Sequence, residues 1–236
     1  MKKNLLILAL AAVSFSAAAQ TKPAAPAAAA ASVAAPAGYA EQLGATITEL
    51  MSTGDAAQLQ ETVNKLERAA AAAPTDWLPR YYQAYGRTLL TFVTKEDGPA
   101  KDKYLDQATA ALEQARKLGG DESELQVMQA YINQARLMIS PMTRFQTYGG
   151  PIGEALAKAK GANPANPRPY LLEANSVYFT PKMFGGGPEA AKPLYEAAKA
   201  RFTAFKPATA LAPNWGERQV DGRLKSYEQP AAQAAK

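Results

Sequence analysis

The chain has 236 residues, 26 of them basic and 21 acidic, with neither histidine nor cysteine. That length leaves room for one domain with a useful core once the ends are set aside. Missing His and Cys exclude disulfides, the commonest metal ligands and the usual nucleophile–base pairs, so only carboxylates, Ser, Thr, Tyr and Lys remain for chemistry. No metal, no cofactor and no enzyme activity are expected.

Residues 1–19, MKKNLLILALAAVSFSAAA, have the layout of a secretory signal peptide. Lys2 and Lys3 form the charged start, Leu5 to Val13 the apolar stretch, and Ala17 to Ala19 the small-residue cleavage site. No Cys follows, so the expected route is Sec-type bacterial export to the periplasm or the medium, without a lipid anchor. Loss of Lys2 and Lys3 takes the 26 basic residues to 24 against 21 acidic. Those that remain are scattered, which offers no basic surface to nucleic acid. Residues 20–37 are Ala/Pro-rich, interrupted by Pro23, Pro26 and Pro36, and read as a linker rather than a membrane span. No membrane insertion of the mature chain is expected. Residues 38–228 carry the folded domain, and 229–236, QPAAQAAK, read as a disordered tail.

Within the domain, apolar residues recur at three- and four-residue spacing. Leu59, Val63, Leu66 and Ala70 form one such run, Leu105, Ala108, Leu112 and Ala115 a second, and Ala191, Leu194, Ala198, Phe202 and Phe205 a third. No stretch shows sustained alternation with β-branched residues, so the class is all-α. The helices also repeat. LERAAAAAP begins at Leu66, LEQARKLGG at Leu112, LAKAKGANP at Leu156 and FTAFKPATALAP at Phe202, in steps of 46, 44 and 46 residues. Between them QAY at 83–85, QAY at 129–131 and EAN at 173–175 keep steps of 46 and 44. Two landmarks with one spacing predict a tandem helical hairpin, a first helix and a second helix in each unit.

The turns between units carry stop and start signals: Pro74-Thr75-Asp76, Gly120-Asp121, Asn166-Pro167 and Pro213-Asn214. Asp121 with Glu124, and Asn214 with Glu217, have capping-box spacing, and Pro167 suits a first helical position. A hairpin of this kind cannot bury its apolar face alone, so stacked neighbours supply the core.

WLPRYYQAYGRTLL, ALEQARKLGG and NPANPRPYLLEANSVYF resemble the helices of the tetratricopeptide family, although the period of about 45 exceeds that family's 34. The resemblance implies a right-handed α-α superhelix of three to four hairpins with a C-terminal capping helix. NPRPYLLEANSVYFTPKMFGGGPEAAKPLYEAAKARFTAFKPATALAPNWG (166–216) is similar to a group of exported bacterial tetratricopeptide-like proteins that carries no established activity. The Gly-rich joint and the Ala-rich helix after it are also similar, more loosely, to the periplasmic T-component of TRAP transporters.

The residues in excess of the family's period fall between the two helices of each unit, at roughly 93–101, 139–150 and 180–188. The repeat places all three joints on one edge, and insertions on one face often mark the binding face. Met142, Arg144, Phe145, Tyr148, Lys182, Phe184, Gly185, Gly186 and Gly187 are the candidate binding residues there. The three glycines before Pro188 read as a joint with unusual backbone angles. A phosphate cradle is the competing reading, but no strand precedes them and the GxxxxGK[ST] spacing is missing. Phe184 is expected to plug against the helices. Helical spacing assigns Trp77, Tyr81, Tyr82 and Tyr85 to the core, and Met138, Met142 and Phe145 likewise, with a ligand groove or an adaptable apolar surface as alternatives. Glu61 with Glu67, and Asp121 with Glu124, are expected on solvated faces and caps.

The resulting reading is a non-enzymatic exported scaffold, monomeric, that binds a protein or peptide. A small apolar-ligand carrier working with a transporter is the alternative, and a carboxylate-based hydrolase is the least favoured. A closed apolar cavity would favour the carrier, and an open concave groove the protein partner. Paired carboxylates of raised pKa in a cleft would favour the enzyme.

Overall fold

The computed structural model describes residues 35–228. The signal peptide expected at 1–19, nearly all of the linker and the tail at 229–236 lie outside the described residues. Among those described, every regular element is helical. In chain order these are α1 (Tyr39–Ser52), α2 (Ala56–Ala72), α3 (Leu78–Val93), α4 (Gly98–Lys117), α5 (Glu122–Ile139), α6 (Pro141–Ala162), α7 (Arg168–Phe179), α8 (Pro188–Ala204) and α9 (Glu217–Glu228), with one 3-10 turn (Lys182–Phe184) before α8. None of the described helices is long and apolar enough to cross a membrane.

The helices pack as sequence-adjacent hairpins, α1 with α2, α3 with α4, α5 with α6 and α7 with α8, and α9 closes the row against α8. This is the solenoid-like arrangement that the spacing predicts. Leu66, Leu112, Leu156 and Phe202 are all buried, one in each second helix. Ala70, Ala115, Ala159 and Ala198 are buried on the same helices, and their small side chains let neighbours approach closely. First helices run parallel. Tyr81 meets Glu124 while Phe92 meets Tyr131, and Glu124 meets Arg168 while Gln134 reaches Ser176.

Three aspartates cap helix starts by accepting backbone amides: Asp55 from Gln58, Asp97 from Ala100 and Asp121 from Glu124, at 2.9–3.0 Å. Each such cap contributes about 1 kcal/mol. The two expected capping boxes do not close. Glu124 turns inward to a buried polar cluster instead of back to Asp121, and Glu217 pairs with Lys199 at 2.9 Å.

The joint expected at 139–150 is a single residue, Ser140. Pro141 opens α6 at its first position, and the helix runs on through Gly149, Gly150 and Pro151. Pro151 lacks an N–H, so the Thr147 carbonyl goes without its intrahelical donor. Tertiary contacts hold the extra turns. Arg144 grips Asp102 of α4 with two parallel hydrogen bonds of 2.7 and 2.6 Å, and Arg136 of α5 reaches Asp106 at 2.6 Å. Planar forks of this kind fix geometry as well as charge. Arg144 beside Asp102 holds that carboxyl below its usual pKa.

Candidate functional site

A helical solenoid offers a ligand its concave face first, here the row of first helices. In this chain that face is covered by the connection between α8 and α9, residues 205–216. Pro207 and Pro213 keep this strap from becoming helical. The Tyr82 hydroxyl donates to the Leu211 carbonyl at 3.0 Å, Arg168 donates to the Pro213 carbonyl, and Trp215 Nε1 donates to the Tyr81 hydroxyl at 2.8 Å. Leu211 also lies against Gly44 of α1. The open groove that would suit an extended peptide is therefore filled by the chain itself.

Beneath the strap lies a buried polar cluster. Glu124 accepts from Tyr81 and from Asn166, both at 2.8 Å, and stands 3.1 Å from the fully buried Arg168 guanidinium. Burial raises the Glu124 pKa, and the opposite charge of Arg168 and the two hydrogen bonds offset part of that rise. The expected placement of Glu124 on a solvated cap is thus corrected. Its carboxylate is enclosed and already paired, which suits a clamp and not acid–base catalysis. Glu61 and Glu67 lie beside Lys65 and Arg87 respectively. No group of three His, Cys, Asp or Glu suited to a metal occurs among the described residues.

Four rings cluster under the strap and toward one end of the row. Tyr85 and Trp215 are 4.9 Å apart, Trp215 and Tyr131 5.4 Å, and Tyr85 and Tyr131 6.1 Å, so these three form a triangle, and Phe92 lies against Tyr131 at 5.6 Å. Tyr85 and Tyr131 are the tyrosines of the two QAY landmarks, so the repeat itself brings them together and the strap adds Trp215. Trp77, Tyr81, Tyr82 and Tyr85 belong to or pack on the core, as their spacing predicts.

Phe92, at the edge of this cluster, is nearly half exposed, and it has company. The exposed large apolar side chains among the described residues are Phe92, Val93, Met138, Met142, Phe145, Phe179, Met183 and Phe184. All eight sit where first helices stop and second helices start, at one end of the solenoid. The expectation that Met138, Met142 and Phe145 belong to the core is overturned. Met142 is 94% exposed, because α6 begins about three turns before the packed stretch that starts near Ile152. Phe184 is likewise not a plug but 72% exposed.

The candidate edge residues come to the same end in two kinds of structure. Met142, Arg144, Phe145 and Tyr148 are helical on α6. Lys182 and Phe184 lie in the 3-10 turn, with Gly185, Gly186 and Gly187 after it. The glycines form a joint. Gly185 and Gly187 have φ of 81° and 101°, and a Cβ on Gly186 would lie 2.7 Å from the Val177 carbonyl oxygen. Their amides are spent on Lys182, Pro181 and Val177 carbonyls, which leaves none to cradle a phosphate. Lys182 pairs with Glu189 at 3.1 Å.

Two shallow open clefts complete the surface. One of about 300 Å³ lies between α6 and α7, floored by Ile152, Leu156 and Val177, with Lys160 bridged to Glu173 beside it. The other, about 330 Å³, lies by Asn163 and Arg201 at the opposite end of the row. Neither is a closed cavity.

No family model matches the chain, and no curated protein does. Among solved structures it is similar to the HusA haemophore from Porphyromonas gingivalis, with 35% sequence identity and a TM-score of 0.71 over 84% of this chain and 98% of that one.

Proposed function

The chain belongs to the family of the HusA haemophore, and from that premise we propose that it is a non-enzymatic exported carrier of haem. The observation that carries the reading is the gathering of exposed phenylalanine and methionine side chains at one end. An exposed apolar surface of this kind marks a binding face. Phe and Met suit a flat, polarisable macrocycle: rings stack on it, and thioethers adapt to its shape.

The chain has no His or Cys, so of the usual haem-iron ligands it offers only Met and Tyr. On this reading recognition rests chiefly on the porphyrin ring and its acid groups. The carrier so described is the small-ligand alternative to the protein- or peptide-binding scaffold. Protein docking through the same end is the second reading, favoured by Met142 and Met183, which stand clear of the fold on two successive joints.

Hemin titrated into the full chain should give saturable binding with a shifted Soret band. Because ring contacts dominate, iron-free protoporphyrin IX should bind within about tenfold of hemin, a difference of about 1.4 kcal/mol. Absence of a saturable spectral change with either porphyrin would remove the carrier reading and leave the protein-docking one.

A further inference from the structure

We infer that the porphyrin seats against Phe92, at the exposed edge of the aromatic cluster of Tyr85, Trp215 and Tyr131, with its acid groups turned to Arg223. The inference rests on the haem reading and narrows it to one side of the apolar end.

Tyr85, Trp215 and Tyr131 pack on one another as a triangle, 4.9, 5.4 and 6.1 Å apart, and Phe92, nearly half exposed, lies against Tyr131 at 5.6 Å. The buried cluster holds Phe92 in place at the surface, where a flat ligand can stack on it without reorganising the core. The next two first helices continue the apolar surface to one side. Gln134 of α5 donates to Ser176 of α7 at 2.8 Å, and one turn further along each helix stand Met138 and Phe179, both exposed. Met138 holds the same repeat position as Phe92, the two being nine residues beyond the start of successive QAY landmarks. The repeat therefore places an aromatic face and a thioether side by side on neighbouring first helices.

Charge completes the seat. The Gln219 side chain at the start of α9 lies beside the Tyr85 and Tyr131 hydroxyls. Arg223, one turn on, stacks over Tyr178 at 4.0 Å and faces Phe179 at 5.8 Å. No carboxylate lies within salt-bridge distance of Arg223 among the described residues, whereas Arg136 and Arg144 are both bound to aspartates. An arginine held flat on an aromatic ring, with its charge unspent, matches a ligand that is apolar in its body and acidic at its rim. The other exposed group, Met142 and Phe145 on α6, has no aromatic cluster behind it.

The test uses the full chain and three ligands: hemin, protoporphyrin IX and protoporphyrin IX dimethyl ester. Phe92→Ala should weaken all three by about tenfold, the value of one good aromatic contact. Arg223→Gln should weaken hemin and the free acid and leave the ester unchanged. Phe145→Ala on the far side should leave every titration as in the wild type. Phe92, Arg223 and Phe145 are partly or largely exposed, so the variants are expected to fold, and circular dichroism melts check this. If the wild type binds hemin but Phe145→Ala weakens it while Phe92→Ala does not, the seat assigned here is wrong and the haem reading stands. Equal losses on the acid and the ester in Arg223→Gln would overturn the assigned role of Arg223. A wild type that binds no porphyrin removes the haem reading and the seat together.

Discussion

Arg168 and Glu124 meet at 3.1 Å in the interior, on different hairpins, and the same guanidinium donates to the Pro213 carbonyl of the strap. One buried cation thereby ties α5, α7 and the α8–α9 connection. Its remaining faces lie against the rings of Phe205 and Trp215, at 5.0 and 5.8 Å from their centroids. Removing one partner of such a pair leaves the other charged and buried, at a cost of about 3–5 kcal/mol. Arg168→Met should lose stability on that scale in urea unfolding at neutral pH.

The pH dependence sharpens the prediction. Burial lifts the Glu124 pKa above its ordinary 4.5, so the folded state holds this proton more tightly than the unfolded chain does. The favourable contribution is complete below the unfolded value and is lost as pH rises through the folded one. Without Arg168 the folded value rises further and the loss is larger. The deficit of Arg168→Met against wild type should therefore shrink between about pH 7 and about pH 5. A deficit that grows on acidification would show that Glu124 is not the group left stranded.

Trp215 provides the second anchor of the strap. It is 3% exposed, packs on both Tyr85 and Tyr131, and donates to the Tyr81 hydroxyl. Trp215→Ala should cost about 3–5 kcal/mol, and Trp215→Phe, which keeps a ring but leaves Tyr81 without its donor, about 1 kcal/mol less than that. Limited proteolysis should then cut Trp215→Ala within 205–216 and spare the wild type. Equal resistance in both would mean that the strap is held without its tryptophan.

The strap also shows where sequence stops being informative. QAY at 83 and at 129 set the period, and the period gave the hairpins, because those residues repeat a local environment. APNWG reads only as a turn, since the partner that explains its tryptophan is Tyr81, 134 positions away. Gly149-Gly150-Pro151 reads as a joint for the opposite reason. Its local chemistry breaks helices, but the α5 surface and the Arg144–Asp102 fork hold it in one. Met142, Phe145 and Phe184 carry helical or helix-adjacent spacing, which marks an apolar face without saying whether a neighbour covers it. For Met142 and Phe145 none does, because α6 starts before its packed stretch, and spacing alone does not distinguish that exposed end from core.

Glycines inside α6 offer a test of that continuous helix. Gly150 and Gly153 are exposed, and a Cβ on either would meet nothing within 4 Å. In a helix interior Ala is favoured over Gly by about 1 kcal/mol. Gly153→Ala should raise the melting temperature by a few degrees, whereas Gly150 stands directly before Pro151, whose ring crowds a Cβ on a helical neighbour, so Gly150→Ala should gain less or nothing. A neutral or harmful Gly153→Ala would mean that α6 is not a regular helix there.

The glycine joint before α8 should respond in the contrary sense, and its three members should differ. A Cβ on Gly185 meets no atom within 4 Å, so only the positive φ of 81° is penalised, at about 1 kcal/mol. On Gly186 it would press into the carbonyl oxygens of Thr180 and Val177, and the Val177 oxygen accepts the Gly187 amide. Backbone atoms cannot swing aside as a side chain can, so Gly186→Ala should cost more, about 1–3 kcal/mol, and should be the worst of the three. Gly187→Ala combines a φ of 101° with contact to the flexible Lys182 side chain and should fall between them. Phe184, immediately before the glycines, is exposed and should melt within about 0.5 kcal/mol of wild type as Phe184→Ala. Phosphate should shift none of these melts, because the three amides are already hydrogen-bonded within the joint. Thermal melts of the four variants, with and without phosphate, check the order. A destabilised Phe184→Ala beside an unaffected Gly186→Ala would mean that the ring, and not the glycine contact with the Val177 and Thr180 carbonyls, holds α7 to α8.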